Sequence, residues 1–313
     1  EAGRCTQCEG LECVNRCVYL AHSKGSPKRS AREIYNSLAV VHGQRRANTQ
    51  INSGADGGLC AEICPFDADM GAFCAAARND MVATNRMPPR PHEFALQDME
   101  FSNAPDVAFF RHQPGLEKSR WAFFPGCQLP ASMPAQAEAV YDHLKDHLDG
   151  GVGLFFSCCG APARWTGRPR LTGSAAEALR AVWEQAGKPE LILACASCVE
   201  FFTYELPDLP VKTLWDVLAS LPLPEGTAVF PATLAMHDPC VTRHRSGTQA
   251  SVRSLATKLG QELEELPLGR DLTRCCGYGG LAAYANPELG DEYSRSRTDD
   301  TDNTLLSYCI MCR

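Results

Sequence analysis

Seventeen cysteines are the residues of this 313-residue chain whose type and spacing can do chemistry. Seven lie in residues 1–74 and ten in residues 127–312. The later ten are a duplication. Cys127, Cys158-Cys159-Gly160 and Cys195-x-x-Cys198 recur as Cys240, Cys275-Cys276-Gly277 and Cys309-x-x-Cys312, at offsets of 113, 117 and 114 residues. A set repeating in one order marks two copies of one structural unit. Thiolates are soft ligands that suit iron and sulfide, and strand-end loops can converge several of them on one point. Zinc would want four ligands per site, commonly two CxxC pairs or cysteine with histidine. Five cysteines per copy are awkward for zinc and for an ordinary cubane. Histidine is not placed systematically either: His237 stands three residues before Cys240, where the first copy has Phe124. Zinc and a set of buried free thiols are the readings that the duplicated spacing disfavours.

A disulfide framework belongs to small secreted domains with poor cores. This chain is long enough for two domains and is 44% hydrophobic and 21% charged. Its cysteine count is odd, and adjacent pairs such as Cys158-Cys159 seldom bond each other because the bridge strains the intervening peptide. A reducing compartment is expected, with the cytoplasm as the location and any membrane association made through a partner. The mixed composition excludes disorder, collagen and coiled coil. No apolar run approaches the roughly 18–20 residues that span a bilayer. A net charge of −7 and the lack of a long basic tract argue against nucleic acid as a partner. The chain begins at Glu1 rather than Met and ends at Arg313, as expected of a processed or trimmed sequence, and shows no signal peptide.

Each copy needs elements that deliver its cysteines. Trp121–Phe124 is a short apolar run ending near Cys127. Pro134 opens a helix with Ala137, Val140, Tyr141, Leu144 and Leu148 on one face, stopped by Gly150-Gly151. Val152–Phe156 reads as a strand leading to Cys158, and Leu191–Ala194 as one leading to Cys195. Between them, Ser174-x-x-Glu177 is read as a capping box opening a helix that ends at Gly187. In the second copy Thr233–Met236 leads to Cys240, Val252–Leu259 is helical and Thr304–Leu306 leads to Cys309. Strands alternating with helices predict a parallel α/β sheet in each half, with its ligands at the carboxyl edge. Residues 87–120, rich in proline and without a sustained period, read as a connector whose aromatics (Phe94, Phe101, Phe109, Phe110) pack along a surface.

The N-terminal cysteines run Cys5-x-x-Cys8-x4-Cys13-x3-Cys17, then Cys60-x3-Cys64-Pro65 and a lone Cys74. The pattern resembles two-cluster bacterial ferredoxins, in which the last cysteine of each run ligates the other cluster. It departs by two extra residues before Cys13, and by Gly54 and Gly57 where the first two cysteines of the second run would stand. The resemblance implies a first cluster on Cys5, Cys8, Cys13 and Cys64, and a second drawing on Cys17 and Cys60 with Cys74 as a third ligand. Two clusters are the favoured reading. One cubane with spare thiols, a cubane beside a 3Fe-4S cluster, and a non-cysteine ligand such as Asp56 stay open. A capping box at Ser30-x-x-Glu33 and a segment over Asp67–Ala77 predict a mostly helical module.

With the duplicated CCG pattern in view, the chain resembles the CCG-domain (cysteine-rich) iron–sulfur family. It is similar to the B subunit of heterodisulfide reductase, with a ferredoxin module like that enzyme's C subunit fused in front. The resemblance covers nearly all of the chain and is weakest in the connector. It implies an α/β fold of two pseudo-repeated CCG halves behind a mainly helical dicluster-ferredoxin-like domain. The expected units are residues 1–86, a ferredoxin-like iron–sulfur domain; 87–120, the connector; 121–232, the first repeat; and 233–313, the second. It further implies two noncubane 4Fe-4S clusters, one on Cys127, Cys158, Cys159, Cys195 and Cys198, the other on Cys240, Cys275, Cys276, Cys309 and Cys312. One or two ferredoxin-type clusters, 4Fe-4S or one of them 3Fe-4S, would feed them. The implied activity is that of an oxidoreductase component that reduces a disulfide, or oxidises thiols, taking electrons from a flavoprotein or hydrogenase-type partner. The disulfide would belong to a small molecule or a protein. The alternative is a non-catalytic relay from a flavoprotein dehydrogenase to quinone or a membrane partner. Both motifs are complete, which favours the first reading.

Other residues carry plainer readings. Gly277-Tyr278-Gly279-Gly280 would let the backbone pass close to a cluster rather than cradle phosphate. His143 and His147 fall on a solvated helix face, and His237-Asp238 is a strand-end pair of structural or proton-relay type. Arg243, His244 and Arg245 are surface charge or a recognition site for an anionic disulfide.

Overall fold

The computed structural model describes residues 8–22, 49–85, 91–224 and 226–312. Cys5 and the helix expected after Ser30 lie outside the described residues. The first half is built on a five-stranded sheet of β1 (Phe109–Arg111), β2 (Trp121–Phe124), β3 (Val152–Phe156), β4 (Glu190–Leu193) and β5 (Val211–Thr213). Their order is β1-β3-β2-β4-β5, parallel except for β1, which runs antiparallel to β3. Every residue of β2 is buried, as a central strand covered on both faces requires. The second half holds β6 (Leu234–His237), β7 (Leu263–Glu265) and β8 (Thr304–Ser307) in a parallel sheet of order β7-β6-β8. Its centre repeats the β3-β2-β4 order of the first. In both, the strand order reverses beside the first strand, and this switch point is where open α/β sheets leave a crevice.

The helix of the first copy ends where Gly150 and Gly151 take positive φ, as expected. The helix read from Ser174 instead runs Pro169–Gln185, with proline in its first turn. Ser174 is thus an interior residue and no capping box forms there. Pro169 wins because its fixed φ suits a first turn and its missing N–H costs nothing at that place. The stretch read as an irregular connector contains a helix, Pro91–Ser102, and the edge strand β1. His92, Ala95 and Met99 are the buried face of that helix, while Phe94 and Phe101 are exposed. It lies against Ala161–Trp165 of the first copy and Ala282–Ala285 of the second, bridging the two.

The regular elements of the described part of the N-terminal module are all helices: Glu12–Arg16, Val18–His22, Thr49–Asn52, Leu59–Glu62 and Met70–Ala83. The last helix begins where the Asp69 carboxylate accepts a hydrogen bond from the Ala72 N–H at 3.0 Å. The module sits on the second copy. His22 Nδ1 meets the Glu292 carboxylate at 2.9 Å, and helix Val18–His22 packs on Pro287–Thr298. Gly279 and Gly280 pass so close to Ala55 and Gly54, respectively, that a Cβ would fall 2.3 and 2.4 Å from their carbonyl oxygens. These glycines admit another backbone at the module boundary, which is a different close approach from the one the sequence suggests.

Asp238 organises the second sheet. Its fully buried carboxylate accepts from Arg253 at 2.9 and 2.8 Å, from the Tyr308 hydroxyl at 2.8 Å and from the Arg270 N–H at 2.8 Å. Arg253 also pairs with Glu265, so removing the carboxylate leaves chiefly the Tyr308 hydroxyl and the Arg270 N–H without an acceptor. We expect Asp238→Ala to cost about 1–3 kcal/mol in denaturant unfolding. A loss below about 1 kcal/mol would show that the carboxylate is not the tie described.

Candidate metal centres

Strands β2, β3 and β4 end on one edge and deliver the first five cysteines. Cys127 precedes the short helix Gln128–Ser132, Cys158-Cys159 follows β3, and Cys195 caps helix Ala196–Glu205, whose first turn carries Cys198. Cys158, Cys159, Cys195 and Cys198 are buried and Cys127 is half-buried. Their thiols touch in sequence: Cys127 with Cys158, Cys158 with Cys159, Cys159 with Cys198, and Cys198 with Cys195. The connector helix supports the site, since Asn103 just beyond it accepts from the Cys158 N–H at 2.8 Å.

The second copy repeats this order position for position. Cys240 Sγ lies 3.7 Å from Cys275 Sγ, and Cys276 Sγ 3.3 Å from Cys312 Sγ. Cys275 touches Cys276, and Cys312 touches Cys309. The two sets then meet: Cys195 and Cys309, equivalent residues of the two CxxC motifs, are in thiol contact, and Ser197 Oγ stands 3.7 Å from Cys309 Sγ. Ten thiols therefore form one run, pseudo-symmetric about the Cys195–Cys309 junction.

The acidities follow from this crowding. Hydrogen bonds from Cys158 and Cys198 hold the Cys159 thiol down to about 6, against burial. Cys276 and Cys309 are likewise held well below an ordinary thiol by their cysteine neighbours. Hydrogen bonds to Cys158, Cys159, Cys240 and Cys276, and then burial, push Cys127, Cys198, Cys275 and Cys312 up in turn. Buried thiolates need a cation, and a donor set of this composition fits iron bound through sulfur.

In the N-terminal module Cys17 and Cys60 are in thiol contact and share a pocket with Cys275 of the second copy. Cys74 is fully buried with its Sγ 3.8 Å from the Tyr19 hydroxyl. Its sulfur lies 2.9 Å from where a Cβ on Gly54 would be, in the space a cysteine at that position would use. Cys8 is buried; Cys13, half-buried, lies on Glu12–Arg16, which packs on Leu59–Glu62, and half-buried Cys64 follows that second helix. Arg78 is fully buried beside Cys74; its Nη1 donates to Ile51 and Gly54 carbonyls at 3.0 and 3.1 Å. Its Nε and Nη2 have no hydrogen-bond partner among the described residues.

Residues 121–203 and 234–313 each match the Cysteine-rich domain, one copy of the five-cysteine motif apiece. The chain belongs to the cysteine-rich domain family. Residues 4–69 match the 4Fe-4S dicluster domain, and the molecule is an iron–sulfur protein. The whole chain of this family member is 22% identical to the D subunit of the dihydromethanophenazine:CoB–CoM heterodisulfide reductase of Methanosarcina barkeri, covering 88% of that protein. The D subunit from Methanosarcina mazei is also 22% identical, over 99% of this chain and 86% of its own length. That of Methanosarcina acetivorans matches at 22% over the whole chain and 88% of its own length. Among the described residues no helix is long and apolar enough to cross a membrane.

Several residues of this cysteine-rich centre carry no sequence signal. Glu200 shares with Cys240, Cys276, Cys309 and Cys312 a cleft walled by Trp165, Tyr278 and Met311. Burial pushes its carboxyl up to about 7, which sets a protonatable group between the copies. Arg243, read as surface charge or a recognition site for an anionic disulfide, is spent otherwise. It is buried and donates to the carbonyls of Asp271, Gly57 and Thr273, tying the N-terminal module to the second copy. His244 pairs with Glu62 at 3.3 Å, and Arg245 donates to Thr203. At Gly57 a Cβ would sit 2.5 Å from Cys275 Cβ. Gly57→Ala is expected to cost about 1–3 kcal/mol through overpacking and to loosen the module, seen as a lower Tm and faster proteolysis ahead of Met70. An unchanged Tm would mean that the two parts are not packed this closely.

Proposed function

We propose that this chain is the disulfide-reducing, or thiol-oxidising, component of an oxidoreductase complex of heterodisulfide reductase type. The observation that carries the reading is the Cys195–Cys309 junction, which sets two complete five-cysteine sites against each other. The names of the Methanosarcina relatives support the same class of reaction. Reducing one disulfide to two thiols consumes two electrons and two protons. Noncubane 4Fe-4S clusters, when bound, would supply one electron at each site and iron to receive each sulfur as thiolate.

The protein's own part is to hold and shield. We assign Cys127, Cys158, Cys159, Cys195 and Cys198 to one cluster, and Cys240, Cys275, Cys276, Cys309 and Cys312 to the other. Trp165, Tyr278 and Met311 border both the cleft at the second site and the one at the first, and limit water there. The ferredoxin-type clusters would use Cys5, Cys8, Cys13 and Cys64 for one, and Cys17, Cys60 and Cys74 for the other. The shared pocket of Cys17, Cys60 and Cys275 supports entry of electrons at the second copy, from a flavoprotein or hydrogenase-type partner. A fusion of two copies like the B subunit of heterodisulfide reductase to a module like its C subunit is the arrangement we favour, because one polypeptide carries both matches.

Two measurements test this. Anaerobically purified protein should hold about 12–16 irons per chain, four per cluster with matching sulfide. Eight or fewer after reconstitution would mean that the duplicated motifs are not both filled. Cys159→Ser or Cys276→Ser should abolish disulfide turnover while the ferredoxin-type EPR signals persist. Unchanged turnover would leave the chain an electron relay.

A further inference from the structure

His237 is the last residue of β6, in register with Ser307 of β8; Phe124 holds the matching end of β2, in register with Leu193 of β4. The copies thus differ in a buried side chain at matching strand ends. Phe124 is an apolar wall. The His237 ring is 2% exposed, and one of its nitrogens lies within 4.8 Å of both Cys276 Sγ and Cys312 Sγ. Nε2 has no hydrogen-bond partner among the described residues. A buried polar group left so is unfavourable, and a sulfur of the bound cluster within its reach would relieve it.

The other ring nitrogen decides what Nε2 can do. Arg297 Nε donates to His237 Nδ1 at 3.2 Å, and a guanidinium has no lone pair with which to accept. Nδ1 is therefore the acceptor, and the ring proton of the neutral imidazole is on Nε2. Arg297 is itself fixed, being buried with its Nη1 3.0 Å from the Asp300 carboxylate. An Nε2 that carries its proton has no lone pair free for iron, so the imidazole is not a sixth ligand. It can only donate.

Resting on the two-cluster reading above, we propose that His237 donates an N–H···S hydrogen bond to the sulfur of the second cluster site. This donor raises the reduction potential of that site above the first. Hydrogen bonds to cluster sulfurs stabilise the more negative, reduced form, and this is one of the levers by which proteins set such potentials. Two sites with the same five ligands are thereby made unequal. The second, next to the N-terminal module, is the better electron acceptor, and the first gives up its electron more readily. His237 is a positioning and tuning residue in this scheme, and Arg297 fixes its tautomer.

The test uses the full chain with its clusters, labelled with 15N-histidine. Pulsed EPR of the reduced protein should show a weak nitrogen coupling, as expected through a hydrogen bond. A strong coupling, as for nitrogen bound to iron, or none at all, would overturn the assignment. Redox titration gives the second arm. His237→Phe, which installs the side chain of the first copy, should keep the iron content and make one of the two noncubane couples more negative, by about tenfold in the reduction equilibrium or 59 mV. His237→Gln keeps an N–H donor and should restore most of that shift. Equal potentials in wild type and His237→Phe would refute the donor role, and loss of four irons from both variants would make the histidine a ligand. Wild-type protein with no iron at the duplicated motifs would instead defeat the two-cluster reading itself.

Discussion

Ten cysteine sulfurs held in one buried run constrain everything around them. Each thiol touches the next, so ionising one raises the cost of ionising its neighbour. Only cations inside the run relieve this. The ends of parallel strands supply these cysteines from rigid positions. Cys127 and Cys240 follow the central strands β2 and β6, and the remaining cysteines arrive from the strands on either side or the loops beyond them.

The same constraint explains why the two copies are fused. A single copy would expose Cys195 and its neighbours at the open end of its site. Pairing the copies through Cys195 and Cys309 closes both ends at once, and Trp165, Tyr278 and Met311 complete the cover. The connector helix Pro91–Ser102 then bridges the copies, and its buried face of His92, Ala95 and Met99 takes part in that closure. Asp238 does equivalent work inside the second copy, where three short strands offer little hydrogen bonding of their own. Its carboxylate joins β6, helix Ser246–Leu259 and the residue after β8 through Arg253 and Tyr308.

Symmetry of the ligand set and asymmetry of its surroundings divide the labour. The first sheet has five strands and the second three. The N-terminal module packs on the second copy and reaches the first where Arg78 meets Gly167. Against the second copy Gly57, Gly279 and Gly280 allow backbone and sulfur to approach closely, and Arg243 ties three carbonyls across the boundary. The outcome is that Cys17 and Cys60 of the module share a pocket with Cys275 of the second copy.

Much of this was legible in the chain itself. The duplicated cysteine order, the apolar runs at Trp121–Phe124 and Val152–Phe156 and the proline opening at Pro134 are local signals, and local signals survive folding when they do not compete with others. Ser174-x-x-Glu177 failed for the converse reason: Pro169 opened the helix first, so the later motif was absorbed into its interior. The contact of Cys195 with Cys309 spans more than a hundred residues, and no spacing rule encodes which ends of two repeats will face. Arg243 looked like free surface charge because its partners are carbonyls from distant loops, which leave no mark in sequence. The surroundings of His237 were equally hidden. Its difference from Phe124 is plain in the sequence, but only the packed structure sets Arg297 against Nδ1 and brings Cys276 and Cys312 near the ring. The sequence by itself determined which atoms could bind metal and that they come in two equivalent sets. Tertiary packing alone decided how those sets meet, because burial and proton sharing depend on what surrounds a thiol in space, not along the chain.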